Sequence, residues 1–92
     1  MERLALEQEL KEILVQTLML DSLRPSDIES ETPLFGREGL DLDSVDALEL
    51  GMALSKRYGI EIDSSDEQVR KAFFSIRTLA ALVGQHLNRE SP

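Results

Sequence analysis

Between residues 2 and 18 the apolar side chains Leu6, Leu10, Ile13, Leu14 and Leu18 recur every three or four positions, with charged residues between them. That spacing gathers them on one face of an amphipathic helix. A second helical pattern runs from Ser44 to Tyr58 and is stopped by Gly59. A third, short one covers about Ser65 to Phe74, with Val69, Ala72 and Phe73 as its apolar side. The last spans 76–88, opens after Ser75 as its N-cap and carries Ile76, Leu79, Leu82, Val83 and Leu87. Residues 89–92 read as a frayed tail. The pattern predicts an all-α fold: a four-helix bundle of three longer helices and a short third one, in a single domain covering residues 1–92.

About two dozen residues separate the first two helices, "MLDSLRPSDIESETPLFGREGLD". A structureless connection of that length argues against a compact domain. Leu23, Ile28, Leu34, Phe35 and Leu40, however, are spaced as anchors among Pro25, Pro33, Gly36 and Gly39. The expectation is a long crossover packed along the bundle, with one short helical turn near Pro25 to Ile28. "YGIEID" alternates like a strand, but a single strand has nothing to pair with, so Ile60 and Ile62 are expected to anchor a loop.

Around the second helix, Val45, Ala47, Leu48, Leu50, Met52, Leu54 and Tyr58 fill a broad arc, which predicts core contact with more than one neighbour. Asp46, Glu49, Lys56 and Arg57 fill the opposite side, acidic first and basic later. Gly51 lies within the apolar arc. It serves either close approach of another helix or room for a guest in the core.

Ninety-two residues suffice for one small core but not for a buried cleft with a separate lid. A net charge of −8 argues against nucleic acid and against anionic membrane surfaces, and favours a partner with a basic patch. With no cysteine, disulfides, thiolate catalysis and Cys-based zinc sites are excluded. No apolar run approaches a membrane span and "MERLALEQEL" is too charged for a signal peptide, so the expectation is a cytoplasmic monomer.

The chemistry concentrates at "DLDSVDALEL", residues 41–50, where Ser44 stands among Asp41, Asp43 and Asp46 at a helix start. The helix dipole stabilises these acids there. As a cation loop the stretch fails, because Val45 and Asp46 stand where a third ligand and a glycine are needed, and a helix has already begun. No metal is expected. Catalysis lacks a base: the sole histidine, His86, lies late in the last helix, and no nucleophile elbow surrounds Ser44. Capping is the plain reading. A capping box fails if Ser44 is the cap, since Ala47 follows three residues on; if Asp43 is the cap, Ser44 becomes the first helical residue with its hydroxyl free. Pattern chemistry favours the cap and leaves covalent attachment at Ser44 open.

The segment "LFGREGLDLDSVDALELGMALSKRYGIEI" resembles the centre of the acyl carrier proteins, a family that includes peptidyl carrier domains. The likeness extends over nearly the whole chain. It takes in the first helix, the anchored crossover, the Asp-Ser-hydrophobic-Asp signature, the short third helix and the final "SIRTLAALV". The resemblance implies that Ser44 carries 4′-phosphopantetheine, donated by coenzyme A through a phosphopantetheinyl transferase. It implies a non-enzymatic protein that shuttles acyl thioesters among acyl-transferring or acyl-activating enzymes with basic docking patches. Asp43, Asp46 and Glu49 match family positions that contact such partners, and Val45 and Met52 match the apolar part of that contact. Leu50, Gly51, Leu54, Ile62, Val69, Ala72 and Phe73 are the implied lining of an acyl-chain cavity. An aminoacyl or peptidyl cargo, or an unmodified acidic helical adaptor in which Ser44 only caps, are the alternatives.

This chain departs from the family pattern at Asp41, where glycine is common, at Val45, where leucine is usual, and at Lys56 and Arg57, where acids usually continue. Those departures, with the short length, imply a specialised, free-standing bacterial-type carrier rather than the housekeeping one of fatty-acid synthesis.

Overall fold

Leu6, Leu10 and Leu14 stand one turn apart on helix α1 (Arg3–Thr17), and in the computed structural model all three are buried. The structure describes residues 3–20, 22–35, 39–40, 42–63 and 65–90, the side chains of 3 and 88–90 aside. Asp41, one of the departures above, lies outside them, as do Glu2, Gly36 and the tail residues Ser91 and Pro92. A single 3-10 turn, Pro25–Asp27, follows α1. Then come α2 (Ser44–Tyr58), α3 (Glu67–Ala72) and α4 (Ile76–Glu90). The bundle is all-α, with α1 packed on α4 and on α2, and α3 on α4.

Each helix ends for a local reason. After α1, Met19 takes a left-handed φ of 53°, and the Leu20 N–H reaches the Val15 carbonyl at 3.0 Å, closing off the helix. Gly59 does the same after α2 with a φ of 66°. Ser75 and Thr78 cap α4 reciprocally: Thr78 N–H donates to Ser75 Oγ at 3.3 Å, and Ser75 N–H donates to Thr78 Oγ1 at 2.9 Å. The α4 helix continues to Glu90, so residues 89–90 are helical where the sequence suggested fraying.

The third helix is shorter than its apolar pattern suggested. It begins at Glu67 rather than near Ser65, with Asp66 as its N-cap accepting from Gln68 N–H at 2.9 Å. Ser65 instead donates its N–H and hydroxyl to Asp63 Oδ1, at 2.9 and 2.6 Å, which holds that carboxyl below the usual carboxylate range. Phe73 and Phe74 fall in the turn after α3, the first buried and the second exposed.

The crossover is core rather than linker. Ile28, Leu34 and Leu42 are buried together with Leu50 and Leu54 of α2, Ile60, Val69, and Ile76, Leu79 and Val83 of α4. Its backbone is stitched across the bundle. Leu34 N–H donates to the Phe74 carbonyl at 2.8 Å, and Leu42 N–H to the Leu34 carbonyl at 3.0 Å, within an isolated parallel bridge between Phe35 and Leu42. The Ser30 carbonyl accepts from Arg77 N–H at 2.8 Å in the first turn of α4, where a helix has no acceptor of its own. Arg77 also pairs with Glu31 at 2.6 Å. A Cβ at Gly39 would collide with the Pro33 carbonyl, so only glycine lets the loop close on itself there. Ile60 is buried and Ile62 half-buried in a loop held by the Ser55 hydroxyl, which donates to the Ile60 carbonyl at 2.7 Å.

Candidate functional site

At the start of α2 the cap belongs to Asp43. Its extended backbone, φ −113°, turns the carboxylate onto the helix end, and Oδ1 accepts from Asp46 N–H at 3.0 Å. Asp46 answers by accepting from Asp43 N–H on Oδ2, also at 3.0 Å. This is a capping box built from two aspartates, with the shorter acid at the third helical position. Asp46 is therefore part of the frame of the helix as well as part of its acidic surface.

With the cap taken, Ser44 is the first residue of the helix. Its side chain is exposed and makes no hydrogen bond among the described residues. A serine at a helix start ordinarily spends its hydroxyl on the backbone. Here the preceding aspartate has relieved it. His86, half-buried on α4, is not hydrogen-bonded to Ser44, and no group of three metal-ligating side chains occurs among the described residues.

Ser44 opens onto a groove of about 920 Å³. One wall is a stripe of α2: Ser44, Ala47, Leu48, Gly51, Met52, Ser55 and Lys56. The crossover contributes Phe35 and Leu42, the cap residue Asp43 lies beside the serine, and Ile62, Val69, Arg70 and Phe73 complete the lining. The lining is mostly apolar, with a hydroxyl and a carboxylate at one end of the stripe and a lysine at the other. At mid-length Gly51 leaves the groove open: a Cβ there would lie 3.5 Å from Ile62 Cγ2 and 3.7 Å from Phe73 Cζ.

Of the cavity residues named from sequence, Gly51, Ile62, Val69 and Phe73 line this groove, and Leu50, Leu54 and Ala72 do not. Leu50 and Leu54 are 1% and 0% exposed and belong to the packed core. They stand on the face of α2 turned into the bundle, whereas the groove runs along the face beside it. Ala72 is half-buried and outside the lining. Phe35, Leu42, Ala47, Leu48, Ser55, Lys56 and Arg70 also line the groove without a sequence signal for that role, and Met52, expected at the partner surface, lines it as well. The parallel bridge that sets the crossover pair against the groove has no sequence signature.

The broad apolar arc of α2 is corrected as well. Val45, Leu48 and Met52 are 60%, 62% and 64% exposed rather than buried in the core. They stand beside the exposed acids Asp43 and Glu49, with Asp46 partly exposed, so the surface around Ser44 alternates apolar and acidic groups. Of the two cations late in α2, Lys56 lines the groove rather than standing opposite it, and Arg57 is committed: its Nε lies 3.3 Å from Glu9 Oε1, and the same oxygen accepts from the Tyr58 hydroxyl at 2.7 Å. That clasp joins α1 to α2. Burial, and then the Glu9 carboxylate beside it, pushes the Tyr58 phenol well above its ordinary range. Lys56 has no such partner among the described residues.

The arrangement presents a free hydroxyl at a helix N-terminus, next to an apolar groove that opens at the same rim. The N-terminal end of a helix favours an anionic phosphate, and the groove beside Ser44 is mostly apolar. A family model described as "phosphopantetheine attachment site" matches residues 8–85 of the chain. No curated protein matches significantly.

Proposed function

Because the chain belongs to the phosphopantetheine-attachment family, the carrier proteins among which the acyl carrier proteins stand, we propose that Ser44 is its attachment site and acyl groups its cargo. The family's group is 4′-phosphopantetheine, held covalently. The observation that carries the assignment is the uncommitted hydroxyl: Asp43 caps α2, and the exposed Ser44 side chain has no hydrogen-bond partner among the described residues. A transferase reaches that oxygen without disturbing the core. The bound arm supplies a terminal thiol, on which acyl groups ride as thioesters.

The chain's own residues position and shield. α2 fixes the serine at the mouth of the groove, and the Phe35–Leu42 bridge holds the crossover beside it. Asp43, Asp46 and Glu49 steer enzymes with basic docking patches, acting on encounter rate more than on final affinity. Val45, Leu48 and Met52 give those enzymes apolar area to cover once they arrive. The protein is thus a substrate of its partners rather than an enzyme, and Arg57, tied to Glu9, is a structural residue on the basic half of α2.

Intact mass after incubation with coenzyme A, Mg²⁺ and a broad-specificity phosphopantetheinyl transferase tests the site. Wild type is expected to gain one arm and Ser44→Ala none. Absence of any gain on wild type with several transferases sinks the carrier reading, and a gain that survives Ser44→Ala sinks the site.

A further inference from the structure

The groove has a charge that the shielding of a plain hydrocarbon tail does not need. Lys56, in the last turn of α2, and Arg70, on α3, both line the groove. Neither has an ion-pair partner among the described residues. Of the described basic side chains Arg24, Arg57, Lys71 and Arg77 each have one; Lys11, which does not line the groove, shares the lack. Two unpaired cations on an apolar groove are complementary to an anion carried into it.

Distance decides which anion. Ser44 and Lys56 are twelve positions apart on one helix, about 18 Å along its axis at about 1.5 Å per residue. The phosphate attached to Ser44 stays at the opposite end of the stripe, well beyond hydrogen-bond reach of Lys56. From serine oxygen to thiol the arm has about fourteen bonds, or about 16 Å at about 3.5 Å per three bonds when extended. An arm lying along the groove therefore delivers its thioester close to Lys56, and what meets the cations is the acyl group. Resting on the carrier reading above, we infer that this groove selects an acyl cargo bearing a second, free carboxylate, which Lys56 and Arg70 receive at the end away from Ser44.

The test uses the protein loaded from adipoyl- and hexanoyl-coenzyme A, two cargoes of equal carbon number that differ by one carboxylate. Loading is verified by mass, so failure at Ser44 is seen separately and overturns the carrier reading together with this one. In nuclear magnetic resonance spectra of the loaded wild type, the side-chain signals of Lys56 and Arg70 are expected to shift with adipoyl and not with hexanoyl. Lys56→Gln with Arg70→Gln is expected to speed hydroxylamine cleavage of the adipoyl thioester about two- to fivefold, the range of partly exposed ion pairs. The hexanoyl rate should hold within error, and added salt should erase the adipoyl advantage. Equal acceleration of both cargoes would assign the cations to the arm itself, and no change in either, with no selective shift in wild type, would leave them as ordinary surface charge; both results overturn the inference.

Discussion

Replacing Gly51 by alanine should stabilise the protein while impairing what the groove does. Glycine in a helix interior is less favourable than alanine by about 0.8–1.0 kcal/mol, because its backbone has more freedom to lose. Alanine recovers this only if its methyl fits. The nearest atoms would be Ile62 Cγ2 at 3.5 Å and Phe73 Cζ at 3.7 Å, ordinary van der Waals separations, so nothing must move. Covering that methyl adds a favourable increment of at most about 0.8 kcal/mol. A net gain of about 1 kcal/mol follows, which is roughly 4–8 °C in Tm for a domain of this size. With no tryptophan present, urea unfolding is followed by far-ultraviolet circular dichroism. At a slope of about 1–3 kcal/mol/M, the midpoint should rise by roughly 0.3–1 M. The same methyl narrows the groove at mid-length, so hydroxylamine should reach a hexanoyl thioester faster in Gly51→Ala than in wild type. A lower midpoint would refute the packing argument. A higher midpoint with unchanged thioester protection would refute the claim that the arm lies along the groove past Gly51, Ile62 and Phe73.

Three further outcomes follow from particular contacts. Asp43→Ala should lower stability by about 1 kcal/mol as the cap is lost, whereas Ser44→Ala should stay within about 0.5 kcal/mol of wild type; equal losses would mean that the two residues share the cap. Leu34→Ala, in the crossover but fully buried, should lower stability by about 2–5 kcal/mol, as a core helix leucine would, and a loss below about 1 kcal/mol would demote the crossover to a linker. Tyr58, the sole tyrosine, reports its own ionisation in ultraviolet absorbance. Its folded pKa is raised above the unfolded value of about 10, so the stability it contributes is whole below pH 10 and is lost as pH climbs beyond it toward the folded value. Tyrosinate should appear late and together with unfolding, and ionisation near pH 10 with helicity intact would contradict the Glu9 clasp.

How much of this was readable beforehand depended on whether the signal was local. The helices announced themselves through spacing, as Leu6, Leu10 and Leu14 did, and through stops such as Gly59. The 3-10 turn at Pro25–Asp27 was legible because proline fixes φ at a turn start. Periodicity says which residues share a face but not what covers that face. Val45, Leu48 and Met52 belong to the apolar arc of α2 by angle, yet they lie exposed because α1 takes one side of the helix and the groove takes the next. The same ambiguity placed Leu50 and Leu54 in a cavity that they back rather than line. At the cap, the expected partner three residues on was a glutamate or glutamine; aspartate at that position closes the box equally well here, and the Asp43–Asp46 spacing was the sign available.

The long crossover makes best sense as the part that turns a bundle into a carrier. Among the helices, α2 packs chiefly on α1, and α3 packs on α4, so helix packing alone leaves the side of α2 facing α3 without a wall at the end where Ser44 lies. Phe35 and Leu42, paired by their bridge and anchored through Leu34 to the Phe74 carbonyl, supply that wall. One hydrogen-bonded chain of contacts thus runs from the turn after α3, through Leu34 and Leu42, to the residue before the cap of α2. Displacing the turn after α3, which carries the groove residue Phe73, would move the mouth of the groove with it. These backbone bonds tie the turn after α3 to the chain entering α2, and they explain why a connection of some two dozen residues is held by buried leucines instead of being left loose.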